Sequence, residues 1–258
     1  MTAAAPEPVT AAETVRICLW SGPRNISTAT MRSFEARGDC AVWDEPFYGF
    51  YLAATGLEHP GRNETLAAWP TDPDQIAAAC AGSSPGGQAL FFQKHMCQHM
   101  LPGLDLSWTA KCRHLFLIRD PAQVAASWYA TMASVSADDL GAARQLRLYD
   151  EIAAITGRDW PVVEGADVLA DPEAMLKSVC AALEIEFTPA MLSWPAGRRL
   201  SDGPWAQHWY GRVEASTGFA GRRETPHPAP PELADVIAAC RPAYEALKAR
   251  KIIAPADD

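Results

Sequence analysis

The sequence predicts an α/β chain: one domain built on a parallel β-sheet flanked by helices. Three observations predict it. Short apolar runs alternate with helical segments of roughly 10 to 20 residues, the pattern of a parallel sheet covered on both faces. The first apolar run ends at Ser-Gly-Pro, and a helix signal follows at once. Four apolar runs are each followed directly by polar residues, at Ser21, Glu45, Lys94 and Arg119. In open parallel sheets that carboxyl edge is where ligands bind.

Taken in order, Val15 to Trp20 (VRICLW) reads as a buried strand closed by Ser-Gly-Pro. Ser27 to Arg37 reads as a helix with Met31 and Phe34 on one face and Gly38 as its stop. Cys40 to Trp43 is a second strand leading into Asp44-Glu45-Pro46, and Phe47 to Gly56 a helix. The stretch to Pro73 reads as loop, Ile76 to Ala81 as helix, and Ser83 to Gly87 as a break. Ala89 to Gln93 is a third strand ending at Lys94. His114 to Ile118 is the clearest strand, with Arg119-Asp120-Pro121 opening a helix to about Ala133. A long helix over Ala137 to Thr156, a strand over Trp160 to Glu164 and helices over Pro172 to Leu183 and Glu232 to Lys248 complete the pattern. Trp194 to Pro231, rich in Pro, Gly and Trp, is too long for a plain connection and reads as a lid or functional excursion.

Composition narrows the function. The 258 residues suffice for a substantial core, and 48% hydrophobic with 21% charged is ordinary for a globular chain. No run approaches the length of a membrane span. Residues 1–13, rich in Ala, Pro, Glu and Thr without a basic start, read as a disordered tail ahead of a domain over 14–258, in a cytoplasmic protein. A net charge of −9 with scattered basic residues argues against a nucleic-acid partner. The seven cysteines have no framework spacing and suit buried positions in a reducing compartment. His95, Cys97 and His99 form the one metal-like cluster, but no second pair stands at ligand spacing, so no metal is expected.

The opening turn carries the chemistry. Gly22, Pro23, Arg24, Asn25 and Ile26, then Ser27 and Thr28 at a helix start, aim several backbone N–H groups and the helix dipole at one spot. That is an anion site, best suited to phosphate. An ATP-type loop needs Gly-Lys where Ile26 and Ser27 stand.

The stretch Ser21-Gly-Pro-Arg followed by Ser27-Thr28 resembles the 5′-phosphosulfate loop of the sulfotransferase superfamily. In that family this loop holds the 5′-phosphate and sulfonate of 3′-phosphoadenosine 5′-phosphosulfate (PAPS), on a P-loop-like fold. By this resemblance Arg24 is the loop's basic residue, and Ser27 and Thr28 supply hydroxyls. Ile26 stands where the family has glycine, so the loop enters its helix differently, with Asn25 taking up the turn.

The resemblance implies further roles. Arg119 and Ser127, eight residues apart in IRDPAQVAAS, match the pair that reads the 3′-phosphate, a planar fork of donors plus a hydroxyl. Glu45 in DEPFY is similar to the glutamate base of the tyrosylprotein and carbohydrate branches. A carboxylate among Trp43, Pro46, Phe47 and Tyr48 has the desolvated surroundings a base needs; Asp44 competes for the role. Lys94 matches the lysine that steadies charge on the leaving phosphate. The cytosolic branch uses Lys-x-His; here His95 is displaced by one residue, and it is held as the second candidate base. Ser216, Gly218, Arg222 and Arg223 in ASTGFAGRR resemble the late loop that closes over the nucleotide. Trp194, Trp205, Trp209 and Tyr210 either line an acceptor pocket or belong to the core.

The resemblance thus implies sulfonate transfer from PAPS to a hydroxyl of a small-molecule or carbohydrate acceptor, with 3′,5′-ADP as the second product. Two alternatives stand beside it. One is a P-loop kinase using ATP and Mg²⁺ with Asp120 as the metal-holding acid. The other is a non-catalytic nucleotide-binding protein of the same fold.

Overall fold

Val15–Ser21 forms β1, Cys40–Asp44 β2, Leu90–Met96 β3, Arg113–Ile118 β4 and Val162–Glu164 β5. The five pair in the order β2-β3-β1-β4-β5, every pair parallel, so the expected sheet is present. The structure is a computed structural model and describes residues 14–130, 134–219, 221 and 229–254. The tail expected over 1–13 lies outside them, as do Arg222 and Arg223.

The helices in chain order are α1 (Ser27–Glu35), α2 (Tyr48–Thr55), α3 (Arg62–Ala68), α4 (Pro73–Cys80), α5 (Pro121–Tyr129) and α6 (Ala137–Leu140). They continue with α7 (Ala142–Thr156), α8 (Gly165–Ala170), α9 (Pro172–Ala182), α10 (Ala206–Trp209), α11 (Gly211–Glu214) and α12 (Ala234–Lys248). Among the described residues no helix is long and apolar enough to cross a membrane.

Strand alternation divides the core. Ile17 and Leu19 of β1 pack with Met31 and Phe34 of α1 and with Met175, Leu176 and Val179 of α9. Cys18 and Trp20 pack on the opposite face with Phe47, Trp108, Phe116, Leu148 and Tyr244. Both faces of β1 are covered, which is why its sequence is apolar without alternation. Each large side chain so buried contributes about 1.5–3 kcal/mol.

Four departures from the sequence expectation have local causes. Strand β3 does not end at Lys94 but runs on to Met96. The stretch expected as loop before Pro73 contains α3, which starts at a left-handed Gly61 with no side-chain cap to announce it. The helix expected over 137–156 is two, because Gly141 turns left-handed (φ 70°) and ends α6 where α7 begins. Helix α8 follows β5 without a side-chain cap and was not expected.

The excursion after Trp194 is closed at its neck. Ser193 bridges Gly218, and the Trp194 N–H donates to the Thr217 carbonyl at 3.0 Å. From there the chain folds back onto the sheet edge. Asp202, 8% exposed, receives the buried Arg32 guanidinium of α1 at 2.7 Å, and the Ser201 hydroxyl donates to Glu35 at 2.6 Å. A buried pair of this kind fixes position more than it adds stability.

Candidate active site

The turn after β1 is shaped by unusual backbone. Arg24 has φ 55°, in the left-handed region that costs a non-glycine residue about 1 kcal/mol or more. Ile26 keeps an ordinary φ of −86°. The left-handed residue of this turn is thus Arg24 and not Ile26. Asn25 takes up the turn: its Oδ1 accepts the Ile26 N–H at 2.9 Å and its Nδ2 donates to the Leu117 carbonyl at 3.2 Å. Gly22 lies so close to α6 that a Cβ would stand 3.0 Å from the Leu140 carbonyl oxygen.

The loop and the turn after β4 meet. Arg24 Nε donates to Ser127 Oγ at 3.1 Å, and the Arg119 guanidinium donates to the Arg24 carbonyl and to Gln123 Oε1 at 3.3 Å. Burial, and the charge of Arg212 on α11, lower the Arg24 pKa. Among the described residues no carboxylate pairs with Arg24. A guanidinium held beside a second positive charge has the electrostatics that attract an anion.

The second half of the site is a buried lysine. Lys94, 1% exposed, has Asp44 Oδ1 and Glu45 Oε1 each at 2.8 Å. It donates to Tyr210 OH at 2.5 Å and to Thr28 Oγ1 at 3.2 Å. The contact with Thr28 joins this centre to the turn after β1. Register explains the convergence: Asp44 is the parallel partner of Lys94, and the Glu45 N–H donates to the Lys94 carbonyl at 2.9 Å. Glu45 then turns left-handed (φ 43°), which brings its carboxylate to the lysine on which Asp44 already converges. Positive φ alone does not mark a site, since Glu184 behind α9 has φ 54°.

The charges decide protonation. Burial pushes the Glu45 carboxyl up, Lys94 pulls it down and Asp44 adds to the rise, leaving it at about 7. Burial pulls Lys94 down, but Asp44 and Glu45 outweigh it and hold the ammonium charged. Asp44 is locked: its Oδ2 accepts from Tyr210 OH at 2.7 Å and from the Gly203 N–H at 3.3 Å. Of the two adjacent carboxylates, Asp44 is wholly buried, whereas Glu45 keeps about a tenth of its side chain exposed, and Glu45 suits proton transfer.

His95 is not brought to this centre. Because β3 continues past Lys94, residue 95 faces the other side of the sheet, stacked on Trp20 at 4.5 Å with Nε2 against Gln93 Oε1 at 3.2 Å. Burial and the neighbouring His114 depress its pKa to about 3. His99 parts from it and lies beside Glu45. Ser216 and Gly218 sit at the neck of the excursion, where Ser216 Oγ accepts from Trp194 Nε1 at 3.2 Å and donates to the Val213 carbonyl at 2.7 Å. Asp120 caps α5 through the Ala122 N–H at 2.8 Å and takes Arg241 of α12 at 2.9 and 3.3 Å. Its carboxylate is therefore already committed.

The place of Tyr210 at the lysine, and any part for Arg212, are not legible in the sequence. Tyr210 arrives from an excursion far along the chain, and only a polar-tipped aromatic in a Trp-rich stretch signals it. Its hydroxyl also accepts from Trp205 Nε1 at 3.1 Å.

A family model described as "Sulfotransferase domain" matches residues 15–251. Two proteins of Arabidopsis thaliana, branched-chain-amino-acid aminotransferase-like proteins 2 and 1, are 33% and 32% identical to this chain over 229 residues. Those alignments cover 89% of this chain but 40% and 41% of the relatives, so the chain spans about two fifths of their length. A solved structure of a sulfotransferase from Alicyclobacillus acidocaldarius superposes with a TM-score of 0.55 at 13% identity, covering 94% of this chain and 98% of that one. That likeness is one of fold.

Proposed function

The chain belongs to the sulfotransferase family, and from that premise we propose that it moves the sulfonate of PAPS to a hydroxyl of a small-molecule or carbohydrate acceptor. The observation that carries the reading is the Glu45–Lys94 pair at the carboxyl edge of the sheet, tied through Thr28 to the anion loop. PAPS supplies an activated sulfonate and a stable leaving group, 3′,5′-ADP.

The chain's own residues then have separate tasks. Loop N–H groups, Arg24, Ser27 and Thr28 receive the sulfonate and 5′-phosphate. Arg119 and Ser127 receive the 3′-phosphate. Glu45 takes the proton of the acceptor hydroxyl as its oxygen bonds to sulfur. The S–O bond to the phosphate breaks, its electron pair stays on the phosphate oxygen, and Lys94 steadies that charge. The kinase alternative loses support because Asp120 is held by the α5 cap and Arg241. The aminotransferase-like name belongs to relatives more than twice as long, most of whose length this chain does not match.

The test is acceptor-dependent release of 3′,5′-ADP from PAPS across a panel of phenols, alcohols and sugars. Wild type is expected to turn over at least one class, and Glu45→Gln to lose at least a hundredfold in kcat while still binding 3′,5′-ADP. Tight 3′,5′-ADP binding with no turnover on any acceptor favours the non-catalytic alternative instead.

A further inference from the structure

His99 belongs to a motif the reaction above leaves unused, the His95, Cys97, His99 cluster. Its ring lies between two tyrosines of α2. Tyr48 stacks at 4.5 Å with 3° between planes, and Tyr51 at 4.8 Å with 29°. The residue is 3% exposed, and its Nδ1 has no hydrogen-bond partner, a costly state for a buried polar atom. That Nδ1 stands 3.9 Å from Glu45 Oε2, the oxygen that Lys94 does not use. Burial, reinforced by His59, Lys94, His95 and Arg144, keeps the ring neutral.

We propose that His99 is a positioning residue for Glu45: when an anionic donor draws Lys94 away, the Glu45 carboxylate turns Oε2 to the Nδ1–H of His99, which holds it toward the acceptor hydroxyl. The inference rests on the reading of Glu45 as the base. Without the donor, Glu45 Oε1 is 2.8 Å from Lys94 and is neutralised by it. A base must leave that partner, and a bare carboxylate in a buried site is costly. A shift of about 1 Å closes the gap to His99 to hydrogen-bond length. The tyrosine stack keeps the imidazole from turning away. The other groups that face Glu45 are Lys94 on β3, Asp44 on β2, Tyr48 on α2 and Tyr210 in the excursion.

The experiment is a ¹³C NMR titration of the Glu45 carboxyl in glutamate-labelled protein, with PAPS as the probe and the signal assigned by Glu45→Gln. His99→Phe keeps the ring between the tyrosines and removes the donor. His99→Asn returns an N–H near the place of Nδ1. With PAPS bound, His99→Phe is expected to raise the Glu45 pKa by about one unit, a tenfold change in proton affinity, and His99→Asn to recover most of it. Equal values in wild type and His99→Phe overturn the inference and leave the donor reading standing. Failure of PAPS to raise the thermal midpoint of the wild type brings down both. A ¹⁵N histidine spectrum of the wild type decides the matter without variants: a proton on Nδ1 that moves downfield with PAPS supports the contact, and a ring protonated at Nε2 alone overturns it.

Discussion

Asp44→Asn isolates the electrostatics of the centre. Asp44 and Glu45 each stand 2.8 Å from the same ammonium, so their nearer oxygens are at most about 5.6 Å apart. At an effective dielectric near 20 their repulsion is about 3 kcal/mol, equivalent to about two pKa units. Asparagine keeps the shape and still accepts from Tyr210, but it removes that repulsion. Glu45, at about 7 in the wild type, is then expected to fall by about one to two units. The assay is kcat/KM against pH with PAPS and an accepted acceptor. The base must be ionised, so wild-type activity rises with pH through about 7, and in Asp44→Asn the same limb moves to lower pH. The maximal rate is expected to drop as well, because Lys94 loses one of the two carboxylates that fix it. An acid limb that stays in place, or moves up, refutes the arrangement of charges described above.

Two further outcomes follow from the geometry. Arg119→Ala is expected to weaken PAPS at least tenfold more than adenosine 5′-phosphosulfate in calorimetry, since only PAPS carries the 3′-phosphate; equal losses remove Arg119 from that role. Arg32→Ala leaves Asp202 as an unpaired buried charge and is expected to cost about 3–5 kcal/mol in urea unfolding, whereas a cost below about 1 kcal/mol shows that the pair does not anchor the excursion.

The parts of this site that the sequence makes legible are those set by local chemistry. An apolar run ending in Ser-Gly-Pro-Arg marks β1 and its turn, and IRDP marks the end of β4, because strand termination and helix capping depend on neighbours in the chain. Glu45 is legible for the same reason, since it follows an apolar strand, and Lys94 is legible as the charged residue after an apolar run, although β3 continues past it. What is hidden depends on parity or on distant contacts. His95 is a candidate base only if β3 stops at Lys94; two more residues of strand turn it into the core beside Trp20. Nothing near Tyr210 says that its hydroxyl meets Lys94 and Asp44, because that meeting is made by the fold of the excursion. Gly141 shows the limit in the helices: the apolar pattern runs through it, and one left-handed residue makes two helices of one.

Residues 22–28 and Arg119 with Ser127 are proposed to form one cradle for a nucleotide bearing both a 5′-anion and a 3′-phosphate. Calorimetry of the wild-type protein with 3′,5′-ADP and, separately, with MgATP tests it most directly. Saturable one-to-one binding of 3′,5′-ADP at least tenfold tighter than that of MgATP is expected. Tighter binding of MgATP, or no binding of 3′,5′-ADP, contradicts it.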